Sequence, residues 1–333
     1  MKTPNFCLLF IVAVLITLKT TQAKTPIIGI VSIYSEGWDD YDSSEWNYIP
    51  RSYVRWLQSA GAKVVPIQWD LPFDQIDNLL DRLNGVVFTG GNIRVFEKNS
   101  SNPTPVYNAF RHITEYILRK NQHCNFYPLW GTCMGFWNIV RTIARNMSVI
   151  TSCDDCIYVR RNVYPKQSYK SKMLRDLPQD LRKKMNQDQL SVFLHKDMIT
   201  PQVFQKNPRL RKYLTPVAHS YDASGKQYVS MAESSRYPIY ATQFHPEKPE
   251  FERNPQLDIP HSPDAIRFTR YLANFFVDEA RKNRNVFPNH ESYLIENYCP
   301  VPLPNSEYSE VYFFPSYDPC QRRLEGEVKT GRK

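Results

Sequence analysis

Residues 126–144 of this 333-residue chain read FYPLWGTCMGFWNIVRTIA. A short apolar run, Phe126–Trp130, leads through two closely spaced glycines into a second apolar stretch, Phe136–Ala144. The first run has the length of a buried strand, and the second has the length of a helix. We therefore predict a strand, a tight turn and a helix in direct succession, which is the basic step of an α/β fold.

The turn between this strand and this helix is a Gly-x-Cys-x-Gly sequence centred on Cys133. Gly131 and Gly135 allow a sharp and strained backbone, as a nucleophile elbow requires. Such a turn would place the sulfur at a helix N-terminus, where the partial positive charge favours the thiolate. The Met134 N–H would then lie close enough to donate to an oxyanion. The alternative is a structural cysteine in a glycine turn.

Upstream of the elbow, apolar runs alternate with segments that have apolar residues at helical spacing. The predicted strands are Pro26–Ile33, Lys63–Gln68 and Gly85–Thr89, and the predicted helices are Tyr48–Ala60, Asp74–Leu83 and Val106–Lys120. This alternation predicts βαβ units and a mostly parallel sheet.

Downstream of the elbow the pattern changes to short β-like runs followed by a long amphipathic helix. The runs are Leu190–Leu194, Gln227–Ala232 and Ile239–Phe244, and the helix is Pro263–Lys282. We expect the runs to add mixed or antiparallel strands to the same sheet. The sequence shows neither an internal repeat nor a low-complexity linker, so we predict one α/β domain over residues 24–320 and a disordered polar tail over 321–333.

The composition is that of a globular protein, with 42% apolar and 23% charged residues. A mean hydropathy of −0.51 excludes a protein with many membrane spans. The apolar run Phe6–Leu18 is too short for a comfortable span and ends near the small residue Ala23, which predicts a secretory signal peptide over residues 1–23. An uncleaved anchor is the alternative. Cleavage would remove Lys2 and Lys19 and lower the formal charge from +9 to +7.

A secretory route affects how two other features are interpreted. Asn99 and Asn146 begin Asn-x-Ser tripeptides and become candidate glycosylation sites. The cysteines are Cys7, Cys124, Cys133, Cys153, Cys156, Cys299 and Cys320. Six of them remain after signal cleavage, and an oxidising compartment favours disulfides among them. Cys153 and Cys156 form a single Cys-x-x-Cys, which favours disulfide bonding over zinc or redox chemistry because a zinc site normally needs four ligands.

A second chemical signal is Gln-Phe-His-Pro-Glu, which ends an apolar run at His245. A cysteine nucleophile needs a base, and imidazole titrates in the useful range. Glu247 lies two residues further on, so the two side chains would share a face of a continuous strand and the carboxylate could orient the ring. The alternative is a surface loop.

A third signal is Gly90-Gly91, at the end of a predicted strand. In an open parallel sheet, loops at neighbouring strand ends meet over one crevice. The backbone amides of these two glycines could supply a second oxyanion donor. A plain turn is the alternative.

Taken together, these motifs resemble the gamma-glutamyl hydrolase (folylpolyglutamate hydrolase) family of the class I glutamine amidotransferase-like superfamily. The stretches that carry the resemblance are PIIGI from Pro26, SYVRWLQSAGAKVVP from Ser52, GVVFTGGN from Gly85, PLWGTCMGF from Pro128, ATQFHPEKPEFE from Ala241 and LANFFVDEARKN from Leu272. The resemblance implies a three-layer α/β sandwich with a central, mostly parallel sheet.

The resemblance also assigns roles to residues. It implies that Cys133 is the nucleophile, His245 the proton-transfer residue and Glu247 its orienting carboxylate. His195 falls where the family keeps an active-site histidine, and Tyr48 where it places a pocket tyrosine.

One position departs from the family pattern. Two residues after the second glycine of the elbow, the family usually carries an acidic or amide residue, and this chain has Trp137. In the family that side chain helps to hold the polar glutamyl end of the substrate. The substitution puts substrate preference in doubt, although packing in the core is an alternative role for the indole.

The implied reaction is hydrolysis of γ-glutamyl bonds in poly-γ-glutamylated folates through a thioester, and it calls for neither a metal nor an organic cofactor. We expect a small-molecule substrate, no nucleic-acid partner and no membrane attachment of the mature chain. The sequence leaves open whether the protein forms a homodimer. The compartment would be extracellular or a lysosome or vacuole. A γ-glutamyl peptidase acting on other conjugates and a catalytically dead folate-binding protein are the alternatives.

Overall fold

The structure is a computed structural model that describes residues 24–35, 41–42, 44–157, 161–304 and 306–317. The predicted signal peptide, residues 1–23, and the predicted tail, residues 321–333, lie outside the described residues. Within the described ranges, no helix combines the length and the apolar character that crossing a membrane requires.

The described chain alternates between strands and helices for its first half. The strands are β1 (Ile27–Val31), β2 (Ile33–Tyr34), β3 (Trp46–Pro50), β4 (Lys63–Ile67), β5 (Gly85–Phe88), β6 (Leu129–Thr132), β7 (Thr151–Ile157), β8 (Leu194–Met198), β9 (Thr215–Tyr221), β10 (Gln227–Glu233), β11 (Ile239–Thr242), β12 (Val301–Pro302) and β13 (Glu310–Pro315). The α-helices are α1 (Arg51–Ser59), α2 (Phe73–Leu80), α3 (Pro105–Gln122), α4 (Met134–Ala144), α5 (Gln179–Met185), α6 (Pro201–Lys206), α7 (Pro208–Tyr213), α8 (Lys248–Phe251) and α9 (Pro263–Arg281).

The central sheet has the strand order β4-β1-β5-β6-β11-β10-β9. Its strands from β4 to β11 run parallel, and β10 and β9 extend it antiparallel. Every residue of β1, β5, β6 and β11 is buried, as expected for a parallel sheet with both faces covered. Two groups of helices cover it: α1, α8 and α9 pack together, and so do α2, α3 and α4. The predicted α/β fold with a mostly parallel sheet and antiparallel additions is confirmed.

The predicted helix Tyr48–Ala60 is wrong at its start. Residues up to Pro50 form strand β3, and the helix begins at Arg51. Proline has no N–H to donate and readily precedes a helix, so Pro50 separates the two elements. Strand β3 lies in a second sheet, ordered β12-β13-β3-β2. Its two neighbours come from opposite ends of the described chain, β2 from the start and β13 from the end.

Two other predicted strands are displaced. Strand β6 begins at Leu129 instead of Phe126, directly after Pro128. The predicted strand Leu190–Leu194 is wrong, because pairing begins only at Leu194 and β8 joins β7 in a separate two-stranded sheet. That ribbon matters for the site, since β8 lies over the elbow: the Cys133 sulfur is 3.8 Å from the Leu194 carbonyl oxygen.

Candidate active site

The elbow at Cys133 has the strained geometry that its glycines predict. Cys133 has φ 52° and ψ −109° between β6 and α4, and its side chain is 2% exposed. A Cβ on Gly135 would lie 2.6 Å from the Phe88 carbonyl oxygen, and one on Gly131 would lie 2.8 Å from the Gly135 carbonyl carbon. Because backbone approaches this closely on both sides, only glycine fits at either position.

The sheet brings this elbow to His245. Strands β6 and β11 are parallel neighbours with Thr132 paired to Thr242, and the Cys133 N–H donates to the Thr242 carbonyl at 2.8 Å. The segments that follow both strands therefore leave the same carboxyl edge of the sheet. A Cβ on Gly90, at the end of neighbouring β5, would lie 2.5 Å from His245 Cε1 and 3.3 Å from the Cys133 Cβ, so all three residues meet at one point.

His245 and Glu247 form a buried pair. His245 Nδ1 is 2.7 Å from Glu247 Oε1, and the side chains are 1% and 0% exposed. Burial alone would lower the pKa of His245, but the Glu247 carboxylate and then the Cys133 sulfur outweigh it and raise the pKa to about 10. The imidazole is therefore protonated at neutral pH, with its Nδ1 hydrogen donated to the carboxylate.

Tyr53 completes the cluster. Its only signal in the sequence is a place on the apolar face of a predicted helix. Its hydroxyl accepts the Gly90 N–H at 2.7 Å and lies 3.4 Å from His245 Nδ1. Burial and then the Glu247 carboxylate hold the pKa of Tyr53 well above its usual range, so the phenol keeps its proton. The Gly90 amide, one of the three expected oxyanion donors, is thus engaged by Tyr53.

A cavity of about 370 Å³ opens over the Cys133 sulfur. Its lining includes the expected Gly91, Trp137, His195 and His245, and also residues with no local sequence signal: Asn92, Ile157, Leu194, Lys196, Asp197 and Glu307. Those additional residues come mainly from β7 and β8 and from the loop before β13; of these elements, only β8 was expected at the site, through the family resemblance of His195.

Trp137 both packs and lines the cavity. It is 9% exposed, its indole Nε1 donates to Gln243 Oε1 at 2.6 Å, and its ring meets His195 edge-on with centroids 6.5 Å apart. The indole therefore packs against its neighbours and also forms part of the cavity wall. Tyr48 lies in β3 and is 2% exposed; it is not among the lining residues, and its hydroxyl would be 3.5 Å from a Cβ on Gly91.

His195 lies on β8 across the cavity from His245. Its Nδ1 is 2.8 Å from the Asp197 carbonyl oxygen, and among the described residues its Nε2 has no hydrogen-bond partner. Burial lowers the pKa of His195 to about 3, against a smaller opposing effect of the Asp197 carbonyl. This imidazole is therefore neutral, in contrast to His245.

Lys248, which follows Glu247, fixes the cavity rim. The ammonium is fully buried, donates to the Glu307 carbonyl oxygen at 2.9 Å and lies 3.7 Å from the Tyr308 ring centroid. This cation–π contact and hydrogen bond tie the loop before β13 to the start of α8. Glu307 is placed at the cavity in this way.

The remaining predicted sites lie away from the elbow or on the ribbon above it. Asn99 and Asn146 are both exposed. Cys153 and Cys156 are joined in a disulfide on β7, and Cys124 and Cys299 are exposed thiols.

The fold and this site define a cysteine-type hydrolase of the α/β class. The Peptidase C26 family model matches residues 26–247, and the chain belongs to that family. Gamma-glutamyl hydrolase of Rattus norvegicus is 32% identical over 297 residues, which cover 88% of this chain and 90% of that protein. Gamma-glutamyl hydrolase B of Dictyostelium discoideum is 29% identical over 313 residues, covering 93% and 88%. The family resemblance of the sequence motifs is thus confirmed.

Among solved structures, a glutamine amido transferase from Methylobacillus flagellatus matches with a TM-score of 0.46 and 12% identity, covering 80% of this chain and 98% of that one.

Proposed function

We propose that this protein hydrolyses the γ-glutamyl bonds of poly-γ-glutamylated folates, with Cys133 as the nucleophile. The observation that carries the proposal is the buried Cys133 on a strained elbow, beside a histidine that Glu247 holds protonated, at the floor of a cavity. The relatives are named gamma-glutamyl hydrolases, which indicates that the bond cleaved is a γ-glutamyl amide. A cysteine nucleophile beside a protonated histidine is suited to cleaving an amide bond.

In the proposed mechanism the Cys133 thiolate attacks the γ-carbonyl carbon and forms a tetrahedral oxyanion. The N–H groups of Gly91 and Met134 stabilise that oxyanion, since Tyr53 engages the Gly90 amide. Met134 is the first residue of α4, where N–H groups have no partner within the helix. Protonated His245 gives its proton to the departing amine as the C–N bond breaks and the thioester forms.

Water then completes the cycle. The His245 imidazole, now neutral, accepts a proton from the water that attacks the thioester, and the Cys133 thiolate leaves. Glu247 keeps the ring in place through both steps and stabilises its charged form. The protein side chains supply every proton transfer that the two steps need.

The cavity wall bears on substrate choice. Lys196 is an exposed cation at the rim and could meet an α-carboxylate of the polyglutamate chain, and the mature charge of +7 would attract such a chain at longer range. Trp137 offers an aromatic surface instead of a polar contact. That surface favours a second candidate, a γ-glutamyl peptidase acting on other conjugates with aromatic groups.

We also propose that the chain enters the secretory pathway through residues 1–23, and that the mature protein is extracellular or lies in a lysosome or vacuole. The exposure of Asn99 and Asn146 supports glycosylation at these positions.

The product profile from folate pentaglutamate tests the proposed substrate. We expect shortened folate glutamates and free γ-linked glutamates, with a higher kcat/KM than for γ-glutamyl conjugates of simple aromatic amines. A preference for the γ-glutamyl conjugates of aromatic amines would support the second candidate, a γ-glutamyl peptidase acting on other conjugates, instead of folate hydrolysis. Cleavage of neither would contradict γ-glutamyl hydrolysis altogether.

A further inference from the structure

The β7–β8 ribbon brings together three side chains that can bind a metal. One ligand atom from each of Cys153, Cys156 and His195 lies within 4.8 Å of the others. Cys156 is paired with His195 across the two antiparallel strands, and the two side chains are 1% and 4% exposed. The cluster is separate from the Cys133 sulfur and its histidine, but it forms part of the same cavity wall through His195.

His195 is arranged as a metal ligand usually is. Its Nδ1 faces a backbone carbonyl at 2.8 Å, so this nitrogen carries the hydrogen and Nε2 presents a lone pair. Metal-binding histidines almost always donate their other N–H to a carbonyl or a carboxylate in this way. Among the described residues, Nε2 has no hydrogen-bond partner.

We propose that, once the Cys153–Cys156 disulfide is reduced, the two thiolates and His195 bind one zinc ion in the cavity wall, and that the bound ion inhibits hydrolysis. Zinc–sulfur bonds of about 2.3 Å and zinc–nitrogen bonds of about 2.0 Å place tetrahedral ligand atoms roughly 3.5 Å apart. The three ligand atoms already lie within 4.8 Å of one another, and the two sulfurs must move apart to this spacing once their bond is open. The sequence alone offered two ligands, and the antiparallel pairing supplies the third.

The reduction step requires two electrons. A dithiol reductant transfers them as its own two thiols join in a disulfide and the Cys153–Cys156 bond opens to two thiols. Zinc then replaces the two thiol protons, which pass to solvent. Three protein ligands leave the fourth position to a water molecule, which would lie in or beside the cavity. The ion would thus engage the His195 lone pair and occupy space next to Trp137.

The binding test uses the full chain with Cys133→Ser, which removes the competing nucleophile. A phosphine is the reductant, because added thiols would compete for the metal; the phosphine takes its oxygen from water and ends as phosphine oxide. Titration with cobalt(II) should give the visible bands and thiolate charge-transfer absorption of a tetrahedral site at about one equivalent, and zinc should displace the cobalt.

Three comparisons assign the ligands. Adding Cys153→Ser and Cys156→Ser to this protein should abolish the cobalt signal, and adding His195→Gln should shift its bands and weaken binding. A matched control that instead replaces Cys124, Cys299 and Cys320 by serine should leave the titration unchanged. A cobalt signal that survives the loss of Cys153 and Cys156, or that never forms after reduction, would overturn the proposal.

Inhibition is measured separately on active enzyme with Cys133 intact, and this part rests on the proposed function. After phosphine reduction, half-inhibition of the Cys153→Ser/Cys156→Ser enzyme should need at least about tenfold more zinc than that of the wild type. Equal zinc sensitivity would overturn the inhibitory role, with the thermal midpoint of each protein confirming that both are folded. The cobalt titration needs no turnover, so its outcome does not depend on the proposed substrate.

Discussion

The candidate site contains two histidines that the fold keeps in opposite protonation states. His245 lies against a carboxylate and a sulfur and stays protonated, whereas His195 is buried against a carbonyl and stays neutral. The first is suited to give a proton to a departing amine. The second can only accept hydrogen bonds or bind a metal at its free nitrogen.

Replacing Glu247 should change the pH dependence more than the chemistry. The Glu247 carboxylate raises the pKa of His245, so Glu247→Gln should lower that pKa and reduce the protonated fraction above neutral pH. We expect the alkaline limb of kcat/KM to move to lower pH, with activity retained at its optimum better than in His245→Asn, which should lose about 10²–10⁴-fold. The measurement is a pH profile of kcat/KM for the three enzymes.

The matched control for this experiment is Glu250→Gln, which removes a nearby carboxylate that pairs with Arg270 and not with His245. Its alkaline limb should stay where the wild type has it. If Glu247→Gln proves as damaging as His245→Asn at every pH, the orienting role of Glu247 is incorrect.

Trp137 provides a test of substrate preference. Trp137→Glu would remove the indole donor to Gln243 and its edge contact with His195, and would put a carboxylate in the cavity. We expect kcat/KM for simple poly-γ-glutamyl peptides to rise relative to that for folate conjugates, because the aromatic surface is lost. A competition assay with both substrates, accompanied by the thermal midpoint, measures this. An unchanged preference with a large fall in the midpoint would show that Trp137 acts in packing only.

Local sequence signals found part of the site and missed the rest for a physical reason. Cys133 lies between two glycines, and His245 precedes a proline and a glutamate, so each is marked by its neighbours in sequence. Tyr53 and Glu307 have no such neighbours. Their positions arise from packing between α1, β5 and a loop that lies far along the chain.

At the scale of elements, the tight strand–elbow–helix junction gives a stability test. Gly135→Ala would push a Cβ against the Phe88 backbone at 2.6 Å, and backbone cannot give way as a flexible side chain can. We expect a loss of about 1–3 kcal/mol in the free energy of unfolding, the usual cost of overpacking, together with lower activity. Denaturant unfolding measures it.

Gly85→Ala is the matched control, since a Cβ there would meet its neighbours at 3.4 Å or more. It should change stability little. Equal effects of the two substitutions would mean that the close approach at Gly135 is not what makes glycine necessary.

Elements with strong internal patterns were predicted well, and elements defined by distant pairing were not. β1, β4, β5, α3 and α9 carry their own apolar periodicity, and their predicted positions are confirmed to within a few residues. β3 contains the polar Asn47 and ends in a proline, so it lacks the apolar pattern of a strand. The helical spacing of the apolar residues that follow it therefore led to a helix being predicted from Tyr48 onwards. The pairing of β3 with β13 joins residues about 260 positions apart, which no local pattern encodes.

At the scale of the whole molecule, the proposed secretory route should leave marks on the mature chain. In a eukaryotic secretory host, the mature chain should begin near Lys24 and carry glycans at Asn99 and Asn146. Asn99→Gln and Asn146→Gln should each reduce the mass by one glycan, and glycosidase treatment should remove the difference. N-terminal sequencing that still finds residues 1–23, or a mass equal to that of the bare polypeptide, would contradict this route.

The whole molecule brings the ends of β5, β6 and β11 together over one cavity, and the proposed reaction depends on that convergence at Cys133. The measurement that tests it most directly is kcat/KM of Cys133→Ala on folate pentaglutamate, with substrate binding measured by calorimetry on the same protein. We predict that turnover is abolished while the affinity and the thermal midpoint stay close to those of the wild type. Hydrolysis within a few-fold of the wild-type rate would contradict the assignment of Cys133 as the nucleophile.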